Sequence, residues 1–281
     1  MGKETRKVIT YSGVVLEKEC YYGTGWRGAL SSFPRPPRER FGSQEEREKH
    51  REQMSRRHHI RMVNANFEPG DLYLTLGFDA QHEVENYENA RRVRDNFVRR
   101  LRYRYPDAVI FIYMGRGHMG ERIHFHALVK GVAWKYIWKQ WPYARRKRLE
   151  GEEPKPIEKM PDVIAPGEVF IKDGIRFCGL REKNVYEGVN CGADYTGIAD
   201  YLFDHWTPEQ GGHRWKMTRN AKHPEREEDT SESEEVLRQY TVDNPPPAPR
   251  GYIWVESRST PYGYLYFKYV KEPPKRKKKR R

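Results

Sequence analysis

A β-hairpin predicted near the middle of the chain constrains the fold more than any other feature of the sequence. Its first strand, 109–114, reads Val-Ile-Phe-Ile-Tyr-Met, and its second, 123–130, reads Ile-His-Phe-His-Ala-Leu-Val-Lys. β-Branched and aromatic residues favour strands, and the turn between them contains Gly115, Gly117 and Gly120. Strands joined by a short turn pair antiparallel, so the chain must contain an at least partly antiparallel sheet.

The second strand of this hairpin places two imidazoles on one face. Because side chains alternate between the two faces of a strand, His124 and His126 project to one side and Phe125 to the other. Imidazole is the commonest protein ligand for transition metals, and a His-x-His pair supplies two of the ligands that an open catalytic site needs. The simpler interpretation is that both are partly exposed strand histidines that bind no metal.

Charge and cysteine content restrict the partners and the compartment. The 281 residues include 53 Lys and Arg against 40 Asp and Glu, so the formal net charge is +13 and nucleic acid is the expected partner. Cys20, Cys178 and Cys191 are odd in number and lack CxxC spacing, which favours a reducing compartment. No apolar run approaches the roughly 20 residues of a membrane span, and the N-terminus lacks a hydrophobic signal segment. We therefore expect a cytoplasmic protein without a membrane partner.

Hydrophobic periodicity predicts an α+β domain. The run 72–78 alternates as a strand does, and apolar residues between 86 and 105 recur every three or four positions, as on the buried side of a helix. The order strand, helix, hairpin predicts an antiparallel sheet with helices packed on one face. The Asp-Gly pair at 173–174 predicts a second tight hairpin, and Trp134, Trp138 and Trp141 are expected to pack in the core.

Composition divides the chain into five predicted segments. Basic, flexible arms are expected at both ends. The C-terminal arm should strengthen binding to nucleic acid without distinguishing one base sequence from another. In chain order the segments are a basic N-terminal arm and helix (1–65), the main domain (66–225), an acidic and Pro-rich linker (226–250), a possible β-hairpin (251–270) and a polybasic tail (271–281).

A second informative stretch follows the main sheet, at residues 192–206. Its apolar residues form the buried side of a short predicted helix. Residues three and four positions apart lie side by side on a helix, so Tyr201, Asp204 and His205 share a neighbouring face.

Three segments resemble the three motifs of the HUH endonucleases, in the same order. They are the strand at 72–78, the His-Phe-His strand at 124–126 and the helix that carries Tyr201. The resemblance is strongest to the rolling-circle replication initiator (Rep) proteins of bacterial phages and plasmids, and it covers roughly residues 66–225. It includes a basic and aromatic segment, 212–220, of the kind that such proteins often carry after the tyrosine helix. The resemblance implies that DNA is bound by Arg214, Trp215, Lys216 and Arg219.

The resemblance also implies a covalent reaction on single-stranded DNA at a replication origin. Tyr201 matches the family's tyrosine, which attacks a phosphodiester and leaves a 5′-phosphotyrosine link and a free 3′ hydroxyl. Tyr195 is the second candidate, since some members use two tyrosines. A divalent ion, Mg²⁺ or Mn²⁺, held by His124 and His126 would polarise the phosphate. No P-loop motif is present, so a host helicase and a host polymerase are the expected partners.

The chain departs from the family pattern at two places, which leaves alternatives open. The family's lysine, three residues after the tyrosine, is replaced by Asp204, and either this residue or His205 is a candidate metal ligand or phosphate-orienting group. The family's third ligand is not evident; Glu121 is the preferred candidate, although strand parity points it away, and His118 and Asp79 are others. A transposase or relaxase, a metal-dependent hydrolase without covalent chemistry, and a non-catalytic nucleic-acid-binding protein therefore remain alternatives.

Overall fold

The computed structural model describes eight ranges of the chain. They are 6–21, 43–116, 122–144, 160–186, 188–206, 212–229, 239–259 and 264–273. His118, Glu121 and residues 274–281 of the predicted tail lie outside them.

The described residues form an α+β fold with antiparallel sheets and four α-helices. In chain order the elements are β1 (Arg6–Ser12), β2 (Val15–Tyr21), α1 (Gln44–Asn66), β3 (Leu72–Leu76), α2 (Tyr87–Arg104), β4 (Val109–Arg116), β5 (Ile123–Lys130), α3 (Trp134–Gln140), β6 (Val169–Lys172), β7 (Ile175–Gly179), β8 (Asn184–Tyr186), β9 (Val189–Cys191), α4 (Thr196–Phe203), β10 (Trp215–Met217), β11 (Glu225–Asp229), β12 (Tyr252–Ser259) and β13 (Tyr264–Lys271).

The chain divides into two compact units whose segments alternate along the sequence. The first, which we call the terminal unit, comprises residues 1–65, 183–196 and 223–281. The second, the histidine unit, comprises 66–182 and 197–222. The histidine unit begins where the sequence predicts the main domain to begin, but it excludes residues 183–196 and ends at 222 rather than 225.

The histidine unit is built on a six-stranded antiparallel sheet with the strand order β10-β4-β5-β3-β7-β6. The hairpin predicted at its centre is present, and its register pairs Gly115 with His124 and Tyr113 with His126. The Asp-Gly hairpin is also present between β6 and β7. Asp173 and Gly174 have φ of 46° and 76°, as a type I′ turn requires.

One face of this sheet carries the hydrophobic core under α2 and α3. Phe125 and Ala127 of β5 pack there with Phe97 of α2. Trp134 and Trp141 are buried in the same cluster, as expected, whereas Trp138 is only partly buried against it. α2 begins where its N-cap residue, Asn86, accepts a hydrogen bond from the Asn89 backbone N–H at 2.9 Å.

The opposite face of the sheet carries His126 and receives α4. The His126 ring lies 5.8 Å from the ring of Tyr201 on α4, between centroids. The sequence predicts helices on one face of the sheet only, but α4 lies on the second face. Alternation along β5 directs its histidines to this second face, away from the core under α2, and there they contact α4.

The terminal unit contains a five-stranded antiparallel sheet, β11-β1-β2-β13-β12, together with α1 and the two-stranded ribbon β8–β9. Residues 1–65, predicted as a basic arm and helix, thus contribute two strands and a helix to a folded unit. The hairpin predicted at 251–270 forms as β12–β13, but it pairs with β2. The segment predicted as a linker, 226–250, begins inside β11. No helix in the described part of the chain combines the length and apolarity needed to cross a membrane.

Candidate metal and nucleophile site

Three histidines from two distant elements meet on the face of the six-stranded sheet that receives α4. β5 supplies His124 and His126, and the turn that ends α4 supplies His205; their ligand nitrogens all lie within 4.8 Å of one another. The Nε2 atoms of His124 and His126 are 3.1 Å apart. The ring of His205 lies 4.5 Å from that of His126 and 6.0 Å from that of His124, between centroids.

Hydrogen bonds at the other ring nitrogen orient these histidines. The Nδ1 atom of His126 lies 2.8 Å from the hydroxyl of Tyr73 and 3.3 Å from that of Thr75, both on the neighbouring strand β3. The Nδ1 atom of His205 lies 2.8 Å from the backbone carbonyl oxygen of Tyr201, to which it must donate. With Nδ1 hydrogen-bonded in both rings, Nε2 is the atom that each ring would offer to a metal.

The electrostatics of the cluster favour neutral imidazoles. Burial, followed by the neighbouring His205 and His124, lowers the pKa of His126 to about 3. Burial also lowers the pKa of His124, and nearby His205 adds to this, while the Arg122 carbonyl opposes it. A neutral imidazole keeps the lone pair with which it binds a metal.

This donor set fits a divalent transition-metal ion. Three imidazoles with converging ligand atoms would leave further coordination positions for water or a phosphate oxygen, as in an open catalytic site. Of the two predicted ions, Mn²⁺ fits better, because Mg²⁺ prefers oxygen ligands and gives up its water reluctantly.

Tyr201 lies beside the cluster and is open to solvent. Its ring centroid is 4.2 Å from that of His205, which follows it by one helical turn, and 5.8 Å from that of His126. The residue is 51% exposed. A phenol that is both exposed and adjacent to a candidate metal can reach a substrate held there.

Sequence reasoning missed Gly115 and the two hydroxyl residues of β3. A Cβ at position 115 would lie 3.0 Å from Cδ2 of His205 and 3.1 Å from Nε2 of His124, so glycine keeps the space between these rings clear. Its position opposite His124 in the hairpin register was the available signal. The contact of Tyr73 and Thr75 with His126 depends on the pairing of β3 with β5, which the hairpin itself does not specify.

The other predicted site residues lie elsewhere or outside the described ranges. Tyr195 is 5% exposed in the terminal unit, and its N–H donates to Asn64 Oδ1 at 2.8 Å. Asp204 is exposed, and Asp79 accepts from His82 Nδ1 at 2.7 Å in the loop after β3. Among the described residues, the cluster includes neither carboxylate. Its third nitrogen comes from His205; the preferred candidate, Glu121, lies outside the described ranges.

Three residues of the predicted DNA-binding segment, Trp215–Met217, form the edge strand β10. The Arg214 guanidinium stacks on two aromatic rings at the end of α4, 4.3 Å from the centroid of Phe203 and 4.6 Å from that of Trp206. Trp215 packs 5.9 Å from Phe203, and Lys216 pairs with Asp95 of α2 at 2.9 Å. Arg214 and Trp215 thus support α4, whereas Arg219 is exposed.

The site is therefore a three-histidine cluster beside an exposed tyrosine, carried by an α+β fold. Comparison of the chain with protein-family models, with curated proteins and with solved structures finds no match in any of the three.

Proposed function

We propose that this chain is a metal-dependent, tyrosine-using endonuclease that nicks and rejoins single-stranded DNA, and that it acts as a rolling-circle replication initiator. The observation that carries the proposal is the position of Tyr201, exposed on α4 with its ring 4.2 Å from His205 and 5.8 Å from His126. α4 and its terminal turn supply Tyr201 and His205, whereas the distant strand β5 supplies His124 and His126, yet the four side chains meet at one point. The order of the motifs along the chain supports the assignment to the HUH type.

The chemistry follows from the groups present. The Tyr201 hydroxyl oxygen forms a bond to phosphorus, and the bond from phosphorus to the 3′ oxygen breaks; the phenol proton passes to solvent, and the departing 3′ oxygen takes one up. A bound divalent ion would polarise the phosphate and offset the charge that develops on it. The phosphotyrosine link conserves the energy of the phosphodiester, so the 3′ hydroxyl can attack it and reseal the strand.

A labelling experiment tests the proposal. The protein is incubated with a pool of random single-stranded oligonucleotides, labelled at the 3′ end because the 5′ phosphate of the downstream fragment becomes attached, with Mn²⁺ or Mg²⁺ or neither. We expect a labelled protein band that survives denaturation, requires the metal and is stronger with Mn²⁺.

Three variants give this experiment its controls. Tyr201→Phe should abolish the band, since it removes the attacking oxygen while keeping the ring, and His124→Ala/His126→Ala should abolish it by removing two ligands. Tyr105→Phe, which keeps the aromatic contact with Tyr136 and lies on the other face of the sheet, should leave it unchanged. A band that persists in Tyr201→Phe contradicts the proposal, and metal-dependent cleavage without any adduct favours a hydrolase.

A further inference from the structure

We propose that the exposed face of α2 is a second DNA-binding surface, which holds the single strand flanking the nick by its phosphates and by stacking of a base. This inference rests on the proposed function and adds a contact outside the histidine site. The surface consists of Arg92, Asn96, Arg99 and Tyr103, and we call it the arginine stripe.

The four residues form one continuous line on the helix. Their spacings of four, three and four place them side by side, opposite the buried residues Phe97 and Leu101 of the same helix. All four are exposed, and Tyr103 is 91% exposed. A tyrosine ring so open to water, next to arginines, is the arrangement with which proteins stack an unpaired base and track its phosphates.

The charge of α2 suits a polyanion. Its sequence, YENARRVRDNFVRRLRYR, contains seven arginines and two acidic residues. One of those acids, Asp95, already pairs with Arg94 at 2.8 Å and with Lys216 at 2.9 Å. The other, Glu88, pairs with Arg92 at 2.6 Å, but both side chains are 70% exposed. Exposed ion pairs of this kind contribute little to stability, so a DNA phosphate can replace the Glu88 carboxylate as the partner of Arg92.

Strand β10 provides a path from the nick site to the arginine stripe within the histidine unit. Arg214, just before β10, lies over the ring of Trp206, and Trp215, the first residue of β10, packs against Phe203 at the end of α4, the helix that carries Tyr201. The next residue, Lys216, is 43% exposed and reaches α2 through Asp95. A strand that leaves Tyr201 along this edge of the sheet therefore meets cationic side chains until it arrives at α2, on the other face.

The test measures binding of the full chain to oligonucleotides of two lengths across a range of salt concentrations. Arg92→Ala/Arg99→Ala should bind a strand of about 40 nucleotides roughly tenfold more weakly, and should reduce the slope of log K against log salt by about 1.4, because two phosphate contacts are lost. A strand of about 10 nucleotides spans the nick site alone, and its binding and adduct formation should not change.

Matched variants separate this surface from general charge. Lys49→Ala/Arg51→Ala removes two exposed cations from α1 and should not alter binding, whereas Tyr103→Ala should weaken binding to single strands but not to duplexes. The inference is overturned if the long strand has the same affinity for Arg92→Ala/Arg99→Ala as for the α1 variant. This holds whether both affinities equal that of the unaltered chain or both are lower. An absent adduct in the unaltered chain would contradict the proposed function, while the salt slope would still report on the arginine stripe.

Discussion

The chemistry of the site depends on which nitrogen each histidine presents. His126 and His205 are hydrogen-bonded at Nδ1, so Nε2 is the atom that each would offer to a metal, and His124 directs its own Nε2 to within 3.1 Å of that of His126. The pairing of His124 with His126 can be predicted from sequence because the two-residue period of a strand is local. The contribution of His205 could be proposed but not chosen over Glu121 or Asp79, since that choice depends on where α4 packs.

At residue scale, Gly115→Ala should weaken metal binding without unfolding the protein. The added Cβ would meet His205 and His124 at 3.0 and 3.1 Å, so both rings must shift, and we expect the affinity for Mn²⁺ measured by calorimetry to fall by roughly tenfold or more. Gly77→Ala is the matched control, because a Cβ there meets nothing within 4 Å. Equal Mn²⁺ affinity in the two variants would contradict this placement of the ligands.

Tyr73→Phe tests the orientation of His126. The variant keeps the ring that stacks on His126 at 5.6 Å and removes the hydroxyl that holds Nδ1. Loss of such an outer partner costs about 10- to 100-fold in metal affinity, and we expect a loss in this range by the same titration. Tyr105→Phe should bind Mn²⁺ as the unaltered chain does. An unchanged affinity in Tyr73→Phe would show that the hydroxyl does not orient the ligand.

At the scale of elements, the first residue of α4 is capped within the terminal unit. This residue, Thr196, donates from its backbone N–H and its hydroxyl to Asp194 Oδ1 at 2.9 and 2.6 Å. Asp194 in turn forms a buried ion pair with Lys268 of β13 at 2.6 Å. The helix itself can be predicted from its apolar period, but this pairing cannot, because Lys268 lies far along the chain in a strand of ordinary composition.

Lys268→Met should destabilise the terminal unit. Burial raises the pKa of Asp194, but Lys268 and the hydroxyls of Thr196 and Tyr186 hold it below its usual range. Removing the cation leaves a buried charge unpaired, which lowers the free energy of unfolding by about 3–5 kcal/mol. Urea denaturation measures this, with Lys271→Met, at an exposed position of the same strand, as the control. A loss no greater than that of the control would contradict the role of the pair.

At the scale of the whole molecule, the sequence predicts the histidine unit better than the terminal unit. Alternation and helical period reveal an apolar core, whereas the terminal unit buries charged side chains under α1. Arg57 pairs with Glu19 and Arg61 with Glu17, and both carboxylates are almost fully buried. From the sequence alone, α1 is predicted to be a solvated helix and the segment around β2 a polar arm. The reason is that the ion-pair partners lie on elements far apart along the chain.

The stability of the chain should depend on pH through His126. Its pKa is about 3 in the folded chain against an ordinary value of 6.5, so below pH 6.5 the unfolded chain binds a proton that the folded chain does not. The contribution of neutral His126 to the free energy of unfolding is therefore complete above pH 6.5 and is lost as the pH falls towards 3. Asp71 acts in the opposite sense, because burial raises its pKa to about 6.

Comparison with His126→Asn isolates this dependence, since the effect of Asp71 is common to both proteins. Without added metal, the difference in free energy of unfolding between the unaltered chain and the variant should fall by at most about 1.4 kcal/mol for each pH unit below 6.5. Urea denaturation at a series of pH values measures it. A difference that stays constant or grows as the pH falls would contradict the burial of a neutral imidazole.

The proposed function requires one reaction, the attack of Tyr201 on DNA beside a metal held by the three histidines. Peptide mapping by mass spectrometry of the DNA adduct formed with Mn²⁺ tests it most directly. We predict that the peptide containing Tyr201 carries the mass of the downstream 5′-phosphorylated fragment, and that chelation of the metal abolishes this product. Attachment at Tyr195 or at another residue, or no attached peptide despite cleaved DNA, would contradict the account.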